Sequence, residues 1–219
     1  MIPLRSSEPH YTKPTVNLFI IGLNALVFFY ELSLGNGYRL NHFIQNFGLV
    51  PDHWHVATIF TSMFIHGGWL HIAGNMWFLW VFGRGVEDML GHGKYFFFYL
   101  ICGVAAAMTQ VLLSANSTIP TVGASGAIAG VMGAYLVTFP RARIVTLVFI
   151  IIFITTVDIP AAFLLLYWFA IQFFNGVGSI GYSQASSGDV AWFAHVGGFI
   201  AGIVLIKLLA PARRARSYY

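Results

Sequence analysis

The fold class this sequence predicts is an all-α polytopic membrane protein: six transmembrane helices with a large first outer loop. Three observations carry that expectation. The 219 residues are 58% hydrophobic and only 8% charged, whereas soluble domains carry about 25% charged residues. The mean hydropathy is +0.77, and the apolar residues gather into runs. The basic residues sit in short clusters between those runs, the distribution that orients a chain in a bilayer. A helix needs about 20 apolar residues to cross the hydrocarbon. The chain therefore has room for six or seven spans and for no sizeable soluble domain. Its net charge of +4 is spread as an orientation signal, so the lipid bilayer is the expected partner and nucleic acid is not.

Residues 1–14 read as a cytoplasmic N-terminal segment. Met1 to Lys13 is polar, with Pro3 and Pro9, and shows no cleavable signal peptide. Residues 15–209 form the expected bundle, and 210–219 a basic cytoplasmic tail. The apolar runs are 15–34, 70–82, 95–113, 125–139, 144–157, 161–174 and 191–209. Between the first two, residues 35–66 mix aromatics with His42, Pro51, His53 and His55 and hold no run of spanning length. A structured loop lying partly in the interface is expected there. Cys102 lies within an apolar run and reads as a small buried hydrophobe.

Seven runs leave a parity problem, which charge resolves. With Arg5 and Lys13 inside, the first loop is outside and holds Arg39, while Arg84, Lys94, Arg141 and Arg143 fall inside. If 144–157 crossed fully, Arg213, Arg214 and Arg216 would lie outside. If it does not cross, ten of the eleven Lys and Arg residues are inside. The run is short, ends at Asp158-Ile159-Pro160 and is rich in β-branched Ile, Val and Thr. It is read as a re-entrant or interfacial connection, or a packed extension of the next helix. Six spans with both termini cytoplasmic follow, in what is expected to be a prokaryotic plasma membrane.

The same topology places two polar residues on one side. Ser125 stands in Gly123-Ala124-Ser125-Gly126 at the head of one run, and His195 stands in Ala194-His195-Val196-Gly197-Gly198 at the head of another. Ionisable groups within a bilayer are costly and are found where function or a partner requires them. A serine hydroxyl becomes a nucleophile when an imidazole accepts its proton. Gly123 and Gly126 permit a tight turn, and a helix N-terminus at Ser125 would present free N–H groups to an oxyanion. Gly126 and Gly130 on one helix, and Gly198 and Gly202 on the other, are small-xxx-small pairs that allow close packing. Either feature alone is commonly structural; together, on one side, they point to a site.

His71 and Asn75 are four apart, share a helix face and lie near the outer end of the second span. They are candidate side-chain donors to an oxyanion, and a packing hydrogen bond is the alternative for Asn75. A zinc site from His66 and His71 is disfavoured by their spacing and the lack of a nearby carboxylate ligand. No metal or cofactor is expected. Asp189 reads as a solvated loop residue and Asp158 as an interfacial cap.

With these motifs in this order, the chain resembles the rhomboid family of intramembrane serine proteases, from the first run to the last. The resemblance rests on His71 and Asn75 as HxxxN, Gly123 to Gly126 as GxSG, and Ala194 to Gly198 as AHxxG. Gly83, Glu87 and Gly91 match a G-x-x-x-E-x-x-x-G turn, and Gly198 and Gly202 match the glycines after the histidine. It implies a six-helix rhomboid-like bundle with a Ser125–His195 dyad and no catalytic aspartate. His71, Asn75 and the backbone N–H of Ser125 would hold the oxyanion, with Gly123 and Ala124 shaping the turn. Substrates would be single-span or polytopic membrane proteins, cut near the outer end of a transmembrane segment.

There are two departures. Some members carry an aromatic residue four positions after the serine, where this chain has Ala129, so His195 must be oriented from elsewhere. The Trp-Arg pair of some first loops is missing from 35–66. The expected path for substrate is beside 161–174 and the 175–190 loop, whose Gly176, Gly178, Gly181 and Gly188 suit a mobile cap. Two other classes fit the composition. One is a non-catalytic rhomboid-like chaperone or adaptor; the other, a small-solute channel, is disfavoured by one-sided histidines and the lack of an inverted repeat.

Overall fold

The computed structural model describes residues 1–150, 153–179 and 191–210. It is mostly helical. Helix α1 spans Thr15–Ser33, α2 Tyr38–Phe47, α3 Val56–Thr61, α4 Trp69–Phe78, α5 Arg84–Leu90, α6 His92–Leu113, α7 Ser125–Thr138, α8 Ala161–Ser179 and α9 Trp192–Leu209. A π-helical turn, Leu79–Gly83, joins α4 to α5 without a break. Helices α1, α6 and α9 and the segment Ala161–Gly178 are long and apolar enough to cross a membrane. Val56–Phe64 and Trp69–Leu90 qualify together as a fifth, bent by 91°. Helix α7, at 14 residues, is shorter than a full span.

The described residues of the run 144–157 are not helical. They fall into strands β2 (Arg143–Ile150) and β3 (Phe153–Pro160), paired antiparallel. Strand β1 (Ile2–Ser6) joins β2, giving the order β1-β2-β3. The chemistry is that of RIVTLVFI and FITTVDIP, where β-branched side chains favour extended backbone. Asp158 is consequently an exposed strand residue opposite Val145, rather than the interfacial cap expected. The N-terminal segment is bound to the bundle rather than hanging free. Trp77 Nε1–H donates to the Pro3 carbonyl at 2.5 Å, and the Ser6 and Tyr135 hydroxyls are hydrogen bonded.

The loop 35–66 is structured, as expected. It contains amphipathic α2, short α3 and two 3-10 turns, Pro51–His53 and Ser62–Phe64. Helix α8 runs on to Ser179, so Gly176 and Gly178 are helical rather than part of a glycine-rich cap. Gly181, Gly188, Asp189, Arg213, Arg214 and Arg216 lie outside the described residues.

Glu87 shows what a buried carboxylate does here. It is fully buried, yet its two oxygens accept the N–H groups of Val16 and Asn17 at 2.9 and 2.8 Å. These are orphan donors of the first turn of α1, where negative charge is favourable. His92 Nδ1 lies 2.5 Å from the same carboxylate. Asn17 then donates to the Leu79 carbonyl in the π turn and accepts from Tyr95. Glu87→Ala would strand these donors without a partner. It is expected to cost about 3 kcal/mol, read as a lower SDS midpoint for unfolding in mixed micelles.

The core of the bundle is α6, α7 and α9. Their small residues meet face to face, and a Cβ on Gly198 or Gly202 would fall on the carbonyl of Gly126 or Gly130. Cys102 of α6 is buried against Gly130, beside the Gly198 carbonyl. Without a hydrophobic force between helices in lipid, this close van der Waals packing is what holds them.

Candidate functional site

Helix α7 begins at Ser125, so the serine sits where backbone N–H groups are unpaired within the helix. His195 is in the first turn of α9. Its position is set by Gln110 of α6, whose Oε1 accepts the Ala194 N–H at 3.3 Å. The glycine contacts of α7 and α9 bring the two helix starts together. His195 Nε2 lies 2.8 Å from Ser125 Oγ, a full hydrogen bond. Ser125 is only partly buried, whereas His195 is 7% exposed. The hydroxyl can be approached while the imidazole is shielded.

The other face of the imidazole answers the question raised by Ala129, which is itself buried. His195 Nδ1 lies 2.6 Å from Gln172 Oε1 on α8. Trp168, one turn earlier on α8, lies against the ring with centroids 5.6 Å apart and planes at 41°. Trp192 meets it edge-on at 6.4 Å. The orienting groups thus come from α8 and from the start of α9. Sequence reasoning missed Gln172. Its signal was present: a carboxamide in an apolar span needs a partner, and it shares a face with Trp168.

His71 and Asn75 also converge on this point. Gly123 has φ +123°, a conformation that L side chains rarely adopt. A Cβ there would lie 2.7 Å from His71 Nε2 and 3.6 Å from Asn75 Nδ2. The positive φ and the close approach to His71 both call for glycine here. The Gly67 N–H donates to His71 Nδ1 at 3.3 Å. That leaves the proton of the neutral ring on Nε2, facing the turn before Ser125. Asn75 Nδ2 is buried with no hydrogen-bond partner. Free donors of this kind, beside a serine at a helix N-terminus, form a cradle suited to developing negative charge.

His66 stands next to His71, with ring centroids 5.1 Å apart. Its backbone N–H is held by Glu31 of α1 at 3.1 and 3.2 Å. Glu31, unlike Glu87, is absent from the motifs read in the sequence, although a carboxylate inside an apolar run is conspicuous. Among the described residues, no group of three or more His, Cys, Asp or Glu is placed to hold a metal ion. An apolar cavity of about 300 Å³ lies between the N-terminal residues Met1 and Pro3, Phe78, Phe82, Met132 and Trp168. Trp168 is common to this cavity and the His195 surround.

A bundle of apolar helices with a serine and histidine in hydrogen-bond contact defines the class: an integral, multi-pass membrane protein with a serine–histidine site. Comparison with known proteins gives the family. Residues 53–212 match the Rhomboid domain, and the chain belongs to the rhomboid family. It is 32% identical over 130 residues to Rhomboid protease GluP of Bacillus subtilis (strain 168), covering 57% of this chain and 24% of that protein. It is 29% identical over 136 residues to Rhomboid protein 1, mitochondrial, of Saccharomyces cerevisiae, covering 59% and 38%. Rhomboid-like protein 11, chloroplastic, of Arabidopsis thaliana is 28% identical over 153 residues, covering 68% and 51%. This chain thus spans about a quarter to a half of the length of these relatives.

Proposed function

We propose that the chain is an intramembrane serine endopeptidase that cuts transmembrane segments of membrane proteins near their outer end. The observation that carries the reading is the 2.8 Å contact of His195 Nε2 with Ser125 Oγ. His195 takes the Ser125 proton as Oγ attacks the scissile carbonyl. The tetrahedral oxyanion is held by His71, Asn75 and the backbone N–H of Ser125, with Gly123 and Ala124 shaping the turn. His195 then protonates the leaving amine, and water hydrolyses the acyl-enzyme by the reverse sequence. Family membership and the free Asn75 amide support these roles.

The proposed orientation has six crossings, with the bent pair and short α7 among them and both termini inside. It is supported by the basic residues on the inner loops and by the β-hairpin replacing a seventh helix. The substrate reaches the serine beside α8, the helix that lays Gln172 and Trp168 against His195. A bacterial or archaeal plasma membrane suits that charge distribution.

The reading is tested with a fluorophosphonate probe on the purified protein. Wild type is expected to be labelled and Ser125→Ala to stay unlabelled; an unlabelled wild type that is folded would overturn the reading. Asn75→Ala is expected to lower kcat by about 10²-fold with KM little changed, since one oxyanion donor of several is lost. Cleavage kinetics on a single-span test substrate provide the check.

A further inference from the structure

We infer that Gln172 is a positioning residue for the proposed reaction, holding His195 in the one neutral tautomer that can accept the Ser125 proton. The inference rests on the protease reading for its consequence, and on geometry for its substance. The Gln172 Oε1 to His195 Nδ1 distance is 2.6 Å, and both side chains are buried, at 6% and 7% exposure. A neutral imidazole carries one N–H. If that proton is on Nδ1, it is donated to Gln172 Oε1, and the Nε2 lone pair faces Ser125 Oγ at 2.8 Å. In the other tautomer, Nε2–H would point at the hydroxyl and the ring could take no proton from it. Gln172 Oε1 can only accept, so it selects the productive form.

The same carbonyl serves the next step. When the Oγ proton moves to Nε2, the ring becomes a cation with both nitrogens protonated. The Nδ1–H bond to Gln172 is then charge-assisted and strengthens as the charge develops. A carboxamide does this without adding a second buried charge, which in a bilayer core would be costly. Trp168, one turn before Gln172 on the same face of α8, bounds the ring on another side. The acceptor is thus supplied by α8, whereas the serine and the histidine come from α7 and α9.

The test uses the full chain reconstituted with a single-span test substrate. Gln172→Leu, close in size and lacking the acceptor, is expected to lower kcat about 100-fold, the low end of what a positioned general base contributes. KM is expected to stay within about twofold, since Gln172 does not hold the substrate. Gln172→Glu, which restores an acceptor at Nδ1 but adds a charge that burial penalises, is expected to recover about tenfold of that loss. A Gln172→Leu kcat equal to wild type would overturn the inference. A second measurement does not depend on any variant folding. The 15N ring signals of His195 in wild type at neutral pH are expected to show Nδ1 protonated and Nε2 bare; the reverse pattern overturns the inference. Failure of the protease reading is seen separately, as persistent cleavage by Ser125→Ala, while the ring signals still report on Gln172.

Discussion

His195→Ala is expected to lower cleavage of a transmembrane substrate by about four to six orders of magnitude, the scale seen when a serine hydrolase loses its base. The reason is local. A serine hydroxyl near neutral pH is barely ionised, and the proposed base, His195, has its Nε2 at hydrogen-bond distance from Ser125 Oγ. In the proposed mechanism the same ring protonates the leaving amine, so its removal would slow both halves of the reaction. The cradle of His71 and Asn75 would survive, and with it a weak residual rate. The measurement is turnover in proteoliposomes, with folding of the variant checked by its SDS midpoint. A variant that stays within tenfold of wild type would show that the imidazole is not the base.

The second large effect is structural. Gly202→Ala places a Cβ 2.5 Å from the carbonyl carbon and 2.7 Å from the Cα of Gly130. These are backbone atoms of α7 and cannot turn aside as a side chain would, so α9 must move. Forced overpacking of this kind costs about 3 kcal/mol. The activity of the fraction that stays folded should fall further. Displacing α9 carries His195 away from Ser125, and a misplacement of about 1 Å can cost about 10²-fold. Gly22→Ala on α1 is the control: nothing lies within 4 Å of its Cβ, and helix propensity alone would favour alanine by up to about 1 kcal/mol. If Gly202→Ala matched that control in SDS midpoint and turnover, the α7–α9 contact would not be what aligns the pair.

Much of the arrangement was legible because membrane chains obey few rules strictly. An apolar run of spanning length must satisfy its backbone internally, so it is a helix. That logic located α1, α6, α8 and α9 closely. It also picked out Ser125, His195, His71 and Asn75, since polar groups stand out against an apolar background. The logic was weakest where a run was short. Residues 144–157 are apolar enough for a helix fragment, but their β-branched side chains favoured strands once β1 was there to pair with them. Glu87, Glu31 and Gln172 carry a signal in sequence, an unexplained polar group in an apolar setting. Their partners do not, because each lies on another element tens of residues away.

The sequence by itself determined that this is a multi-pass membrane protein of largely helical fold, and which polar residues stand in an apolar setting and call for a partner. Hydrophobic length and polar cost are properties of the chain, and they do not wait for packing. Only the tertiary structure decided how His195 is held, with α8 supplying Gln172 and Trp168 where Ala129 offers no ring. Only it decided that the N-terminal segment completes a sheet. Those outcomes depend on which helix faces meet. In a bilayer this is set by the close fit of small residues such as Gly126, Gly198 and Gly202, not by a hydrophobic force readable from composition.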